Sequence, residues 1–371
     1  MRIKTIPAGF LGMAMLCLQA FSQNAPLAAE KLFTIGPGTA KGPYLLLNVD
    51  DLRTDASGNI YVLDSRRAKI VKFSPAGEFM STIGRPVFEV ENSSQERNYL
   101  KDRDLKAKLT ASRTTGDLYS PRALHIDDKS ILVADTGKLV LFDLLGNVMR
   151  VVTTKGMSLL YGAFPNDRGE LTVLGSAADD SLFHVLDGEG NPVRSYGDRF
   201  AVPPEIKDKW SGDTKDSKIK MASMPISYFI GSAGESLLID PFKYEISIFR
   251  GERLWETLTG PSPYSSGFVG VSESHIDGKR AGLITGSIAR PMIFETNGLI
   301  LVFHAKDGGN VGSGNPRIFR VDVFKAYRFA KSFDLALEGY PGYVDTEGRL
   351  FTIGSHLNPF VNAYAIWPLL N

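Results

Sequence analysis

Six copies of one four-stranded unit, a glycine turn that recurs in nearly every copy, and an N-terminal strand belonging to no copy predict an all-β ring. The expected architecture is a six-bladed β-propeller with four antiparallel strands per blade, its last blade closed by that N-terminal strand. The clearest copy runs from Asn48 to Gly84. Turn residues at Asp55–Asn59, Asp64–Arg67 and Ser74–Gly77 cut it into four short runs, including NIYVL, KIVKF and EFMSTI. Their Val, Ile, Tyr and Phe suit a pleated surface, and Asp and Gly permit the reversals. Such a unit cannot bury both of its faces alone, so it needs neighbours of its own kind.

Ahead of the repeats, residues 1–22 read as an export signal. Arg2 and Lys4 give a positive start, Ile6 to Leu18 is apolar, and Ala20-Phe-Ser22 is a small-x-small cleavage site; cuts after Ala20 or Ala25 are alternatives. The apolar centre is too short for a membrane span. Cys17, the sole cysteine, lies inside the signal, so the exported chain is expected to hold together without disulfides. Leu16 stands before it, where a lipid anchor would want a small residue.

The rest, 23–371, is expected to be one domain and a monomer. The full chain sets 42 Lys and Arg against 41 Asp and Glu, with no basic stripe, which argues against nucleic acid as a partner. No second apolar run reaches membrane length.

In chain order the blades are expected at about 44–84, 121–153, 159–197, 224–258, 289–334 and 339–370, the last completed by 31–35. The first hairpin turn reads DASGN, NDRGE, GSAGE, ETNGL and DTEGR in five copies. Only the second copy lacks the glycine, with Asp127-Asp128-Lys129 in its place. These glycines are structural, since they supply the positive φ of a tight reversal. The last copy has three strands before the chain stops, and Lys31-Leu-Phe-Thr-Ile35 is the candidate fourth.

The pattern of a hydrophobic strand, D-x-x-G-x-[IL]-x-V-x-D, a polar turn, a strand ending in Phe and a Gly turn resembles the NHL repeat. The whole chain from 31 to 371 resembles secreted six-bladed propellers of the NHL and TolB-like type, most closely in the first two blades. That resemblance implies the fold. It implies no single function, because such propellers include adaptors, sensors and a few enzymes.

Number the strands a to d from the centre outward. Antiparallel order then puts the a–b and c–d turns on one face, and the b–c turns and d-to-a crossovers on the other. All the long connections belong to the second group: 85–120, 198–223 and 260–289 as crossovers, and 306–315 as a b–c loop. Long loops on a rigid scaffold carry binding residues. The first crossover is expected to hold a solvated helix from the capping pattern at Ser93 to about Leu109. The second holds a short helix ending at Trp210, and the third is mostly irregular.

The channel mouth on that face is expected to be lined by Tyr119, Arg122, Arg290, Tyr340, Arg66, Lys243 and Tyr244. Arg122 and Arg290 are candidates to clamp a carboxylate or phosphate. Alternatively, the arginines pair with Asp64, Asp135 or Asp240, and these aspartates mainly stabilise their own turns. Catalytic motifs are thin: there is no thiol outside the signal, no G-x-S-x-G and no helical His pair. His184 reads as a packing residue in a third strand, and GGNVGSGN (308–315) as a flexible tip, not a phosphate loop.

Two functions remain open. The first is a non-catalytic exported propeller, without cofactor, that binds a protein, peptide or glycan through the elaborated face. The alternative is a metal-assisted hydrolase or lyase, as the resemblance to propeller lyases and lactonases implies. It would hold one divalent cation among His125, Asp240, His304 and His356, with Asn358 nearby.

Overall fold

The Asp55–Asn59 turn joins the first two strands of the first blade. Asp55 accepts hydrogen bonds at Oδ1 from the backbone N–H of Ser57 (3.0 Å) and Asn59 (2.9 Å), and Gly58 takes a φ of 76° that a side chain would resist. The second blade has no glycine there, and Asp127 makes the turn alone by accepting from Lys129 N (2.8 Å) and Ser130 N (2.7 Å). In this computed structural model the described residues are 25–36, 42–88, 105–157, 159–166, 168–177, 181–198, 200, 227–230, 235–240, 242–261, 269–276, 279–287, 291–306, 316–355 and 358–370.

Six four-stranded antiparallel sheets form a six-bladed β-propeller. Blade one comprises Val49–Thr54, Ile60–Asp64, Lys69–Phe73 and Phe79–Ile83. Blade two comprises Ala123–Ile126, Ser130–Asp135, Lys138–Asp143 and Val148–Thr153; blade three, Leu159–Pro165, Leu171–Ser176, Ser181–Leu186 and Pro192–Asp198. Blade four comprises Tyr228–Ile230, Glu235–Ile239, Glu245–Arg250 and Arg253–Thr259; blade five, Met292–Thr296, Leu299–Ala305, Arg317–Lys325 and Arg328–Leu337. Blade six takes Tyr340–Val344, Arg349–Ser355 and Asn358–Ala365 from the C-terminal end. Its outer strand is Glu30–Ile35, paired antiparallel with Asn358–Ala365, so the expected closure is present.

The core is divided among the blade interfaces, because each blade is apolar on both faces. One cluster joins blades one and two through Tyr61, Leu63, Ile70, Leu124, Val133 and Phe142. Equivalent clusters fill the other interfaces, down to Ile35, Leu52, Val62 and Phe73 against Phe351 and Val361 where blade six meets blade one. At that seam Arg349 donates to the carbonyls of Pro75 (3.0 Å) and Gly58 (3.1 Å) while its Nε pairs with Asp345 at 2.7 Å.

Three features depart from expectation. The third crossover is not mostly irregular: Val269–Ile276 and Lys279–Ser287 form a two-stranded antiparallel hairpin. A backbone ladder there satisfies its own polar groups without help from the ring, which turn-rich sequence composition does not announce. Leu27–Ala28 adds a fifth strand, parallel to the outer strand of blade five, so the N-terminal segment ties blade five to blade six. In the first crossover the described helix is Leu105–Ser112, later than expected, and two short strands, Arg85–Pro86 and Asp117–Leu118, pair in parallel around it. The run from Ser93 to 104, Trp210 and its expected helix, the 308–315 tip and the expected signal all lie outside the described residues. No described helix is long and apolar enough to cross a membrane.

Candidate functional site at the channel and its mouth

Strand order decides which end of the ring carries the long connections. Chain leaves and returns at one end between Ile83 and Ala123, Asp198 and Tyr228, Thr259 and Met292, and Ala305 and Arg317. Among the described residues the opposite end carries short reversals such as Asp55–Asn59 and Asp143–Asn147, and the C-terminal helix Trp367–Leu370 beside Gly348.

Aspartates after the second strands hold the mouth of the elaborated end. Asp64 accepts from the N–H groups of Leu47 (2.8 Å), Asn48 (3.2 Å) and Arg67 (3.1 Å). Asp135 does the same for Tyr119 (2.9 Å), Ser120 (2.7 Å) and Thr136 (2.7 Å). Each carboxylate thus fixes its own turn and also the chain entering the first strand of its blade. Burial pushes the Asp64 and Asp135 carboxyls up, against the pull of those backbone donors. Lys138 extends the device. It is 1% exposed, and its Nζ donates to the carbonyls of Ser112, Thr115 and Asp117 and lies 3.8 Å from Asp135, anchoring the first crossover to blade two.

The expected mouth residues separate into groups. Tyr119 is half-buried at the mouth with its ring edge-on to Phe88 at 6.3 Å. Arg122 is exposed, and its guanidinium approaches Asp50 at 3.9 Å rather than any of the three turn aspartates expected to hold it. Tyr340 lies beneath the guanidinium of Arg317, which is 4.4 Å from its ring and donates to its hydroxyl. Arg66 is half-buried in its turn, and Lys243 is exposed with its backbone N–H on Asp240 Oδ1 (3.1 Å). Arg290 lies outside the described residues.

Tyr244 does not line the mouth. It is buried, and its hydroxyl donates to Asp322 Oδ2 at 2.6 Å across the interface of blades four and five. His304 is buried beside it, with Nε2 3.1 Å from the same oxygen. Burial alone would raise Asp322, but hydrogen bonds from His304, Ser332, Tyr244 and Arg320 outweigh it and hold the carboxyl at about 2. Asp240 spends Oδ1 on the N–H groups of Phe242 (2.7 Å) and Lys243 (3.1 Å). Thus His125, Asp240 and His304 do not gather, and no metal-like cluster of His, Cys, Asp and Glu occurs among the described residues. His356 lies outside those residues, and so does the Asn358 side chain. His184 is buried as a packing residue, with Nδ1 3.0 Å from Ser195 Oγ.

Sequence reasoning missed the centre of the channel. Asp51 and Arg53, from the first strand of blade one, form an ion pair there. Asp51 Oδ2 also accepts from Leu124 N of blade two (2.8 Å), while Arg53 lies 5.1 Å from the ring of Tyr343 in blade six and meets the Tyr228 hydroxyl of blade four. Burial pushes the Tyr228 hydroxyl up to about 12. Tyr228 crosses Gly162 of blade three so closely that a Cβ there would sit 2.0 Å from its hydroxyl, which makes that glycine a requirement. What remains of the channel is a cavity of about 90 Å³ lined by Arg53, His125, Tyr228, Phe229 and Tyr343 among others. The available signal was two acidic residues and an arginine in a first strand, where four of the six copies are almost wholly apolar.

His125 borders this cavity. Burial, and then the nearby Arg53 charge, lower its pKa from 6.5 to about 4. The folded protein therefore keeps the ring neutral where the unfolded chain would protonate it. Stability is expected to fall as pH drops from about 6.5 towards 4, by up to roughly 3 kcal/mol from this group. Urea melts at pH 7 and pH 4.5 should show that fall, and His125→Gln should remove most of it. An equal fall in the variant would mean that His125 is not the group responsible.

The sequence matches no protein-family model and no curated protein. Solved structures do match. A candidate exported protein from Bacteroides fragilis superposes with a TM-score of 0.53 at 10% identity, over 90% of this chain and 94% of that one. A member of the DUF4221 family from Bacteroides vulgatus gives 0.55 at 10% identity, over 91% and 96%. Virginiamycin B lyase from Staphylococcus aureus gives 0.46 at 11% identity, over 90% and 99%. At such identities the first two carry the fold alone: the chain is a six-bladed β-propeller built like these Bacteroides proteins across nearly its whole length.

Proposed function

We propose that this protein is an exported binding propeller. It engages a protein, peptide or glycan through the end of the ring that bears the long connections, without catalysis and without a resident metal. The observation that carries this reading is the length asymmetry, with every long connection leaving from one end. Beneath them the channel is filled by Arg53, Tyr228 and Tyr343, and its cavity of about 90 Å³ is well short of the roughly 300–1,000 Å³ of a small-molecule pocket. Contact area must then come from the rim, and a stable protein interface needs on the order of 800 Å² per partner. Export rests on the signal pattern in residues 1–22.

The test is capture of ligands from peptide and glycan arrays by the exported protein and by its Arg122→Ala/Arg290→Ala variant. The variant is expected to lose about tenfold in affinity, and Arg122→Ala alone, at an exposed position, to melt as the parent does, since surface changes rarely cost more than ~0.5 kcal/mol. Equal capture by both would remove these arginines from the site. Metal analysis before and after chelation separates this reading from metal-assisted hydrolysis or elimination. One divalent ion per chain that survives dialysis would favour the latter.

A further inference from the structure

A second concave site lies at the other end of the ring. Between blades three and four, on the short-turn side, a cleft of about 780 Å³ opens, a size suited to a small molecule. Blade three supplies Phe164, Val185 and Tyr196, and the Tyr196 ring is fixed by stacking on Phe183 at 4.8 Å and 13°. Thr172 also lines the cleft. It is fully buried, and its Oγ1 has no hydrogen-bond partner. A buried hydroxyl left unpaired is costly, which makes it a mark of something that completes it.

The charges around the cleft are not evenly matched. Glu235 is buried and already occupied by Arg250 Nε (2.8 Å) and by the Tyr327 hydroxyl (2.9 and 3.0 Å). Glu252 and Glu170 are both taken by Arg194, at 2.6 Å in the first case. Arg168 and Arg253, from the turn of blade three and the outer strand of blade four, also line the cleft; both are exposed, the Arg168 charge also acts on Glu170, and neither side chain has a hydrogen bond or ion pair among the described residues. The carboxylates are satisfied from within, whereas two guanidinium forks and one buried hydroxyl, all hydrogen-bond donors, are not. The missing chemistry is an acceptor, and the aromatic wall adds a flat surface for a ring.

We infer that the cleft between blades three and four binds a small organic oxyanion carried on a ring. Arg168 and Arg253 take the carboxylate or sulfate, Tyr196 and Phe164 flank the ring, and the Thr172 hydroxyl donates at the floor. This site stands apart from the elaborated end and does not depend on the function proposed for it.

Trp255 offers a readout, because the Arg250 guanidinium lies 3.4 Å from its ring. Its emission should be followed while the full exported protein is titrated with glucuronate, 4-hydroxybenzoate, inorganic sulfate and glucose, backed by calorimetry. At least one of the two organic anions is expected to saturate below ~10 mM, at least tenfold tighter than sulfate or glucose. The two anions tell a sugar acid from an aromatic acid. Arg168→Ala/Arg253→Ala should weaken that binding about tenfold without shifting the melting temperature. Thr172→Val should weaken it several-fold while melting no lower than the parent, which a purely structural hydroxyl would not do. The inference is overturned if neither organic anion saturates in that range, if sulfate binds as tightly as the organic anions, or if the double arginine variant binds like the parent.

Discussion

A chain starting at Lys41 is expected to fail to form a stable ring. It lacks Glu30–Ile35, the outer strand of blade six, and Leu27–Ala28, which pairs with Leu335 and Ala336 of blade five. Ile35 is fully buried among Leu46, Val49 and Val361. Phe33 packs over Gly77 of blade one, where a Cβ would come within 2.8 Å of its ring, and the Thr34 hydroxyl donates to Asn362 at 2.6 Å. Losing one buried isoleucine, part of a phenylalanine and a ladder of hydrogen bonds removes roughly 5 kcal/mol, comparable with the net stability of an ordinary domain. It also bares the edge of Asn358–Ala365 for pairing between molecules. Thermal melting and light scattering of the two chains check this. A truncated chain that melts with the full one would show that the ring closes without its N-terminal strand.

Asp322→Ala should be the most damaging single substitution. The Asp322 carboxylate is fully buried and takes hydrogen bonds from Tyr244 of blade four and from His304, Arg320 and Ser332 of its own blade. Removing it strands several buried donors at once, at an expected cost of about 3–5 kcal/mol. Asp322→Asn keeps the shape and part of the acceptor capacity, so it should cost less. The pH dependence has a definite sign. The folded carboxyl titrates at about 2, against 3.8 when unperturbed. Its stabilisation is therefore complete above about pH 4 and disappears as pH falls through 2, a swing of about 2 kcal/mol. Urea melts of the parent and of Asp322→Asn at pH 6 and pH 2.5 should show the gap between them narrowing in acid. A constant gap would mean that the carboxylate is not held in the ionised form by its neighbours.

Much of the ring was determined by the sequence alone. The period of turn and strand fixes six blades, because each unit is apolar on two faces and must be sandwiched. The lone strand at Lys31–Ile35 closes the last blade because a three-stranded copy leaves an unpaired edge. Asp64 and Asp135 behave as turn residues through the nearby N–H groups of Arg67 and Thr136, as Asp does in local sequence, whereas their other donors, Leu47, Asn48, Tyr119 and Ser120, lie 15–17 residues back and come from the fold. Antiparallel order alone puts the long connections at one end.

What only the tertiary structure decided is where side chains point once blades meet. Tyr244 and His304 sit beside a turn and at the end of a strand that reach the mouth, yet both turn into the interface of blades four and five, where Asp322 waits. That carboxylate lies 78 residues from Tyr244, so no local pattern links them. The register shift between Val49 and Asp51 interrupts the period-two alternation, so the faces taken by Asp51 and Arg53 could not be counted from the strand's apolar residues. The cleft holding Arg168, Thr172 and Arg253 belongs to no single blade. Blade three supplies Arg168 and Thr172 and blade four Arg253, and which residues of two sheets meet is a property of their packing, not of either strand's sequence.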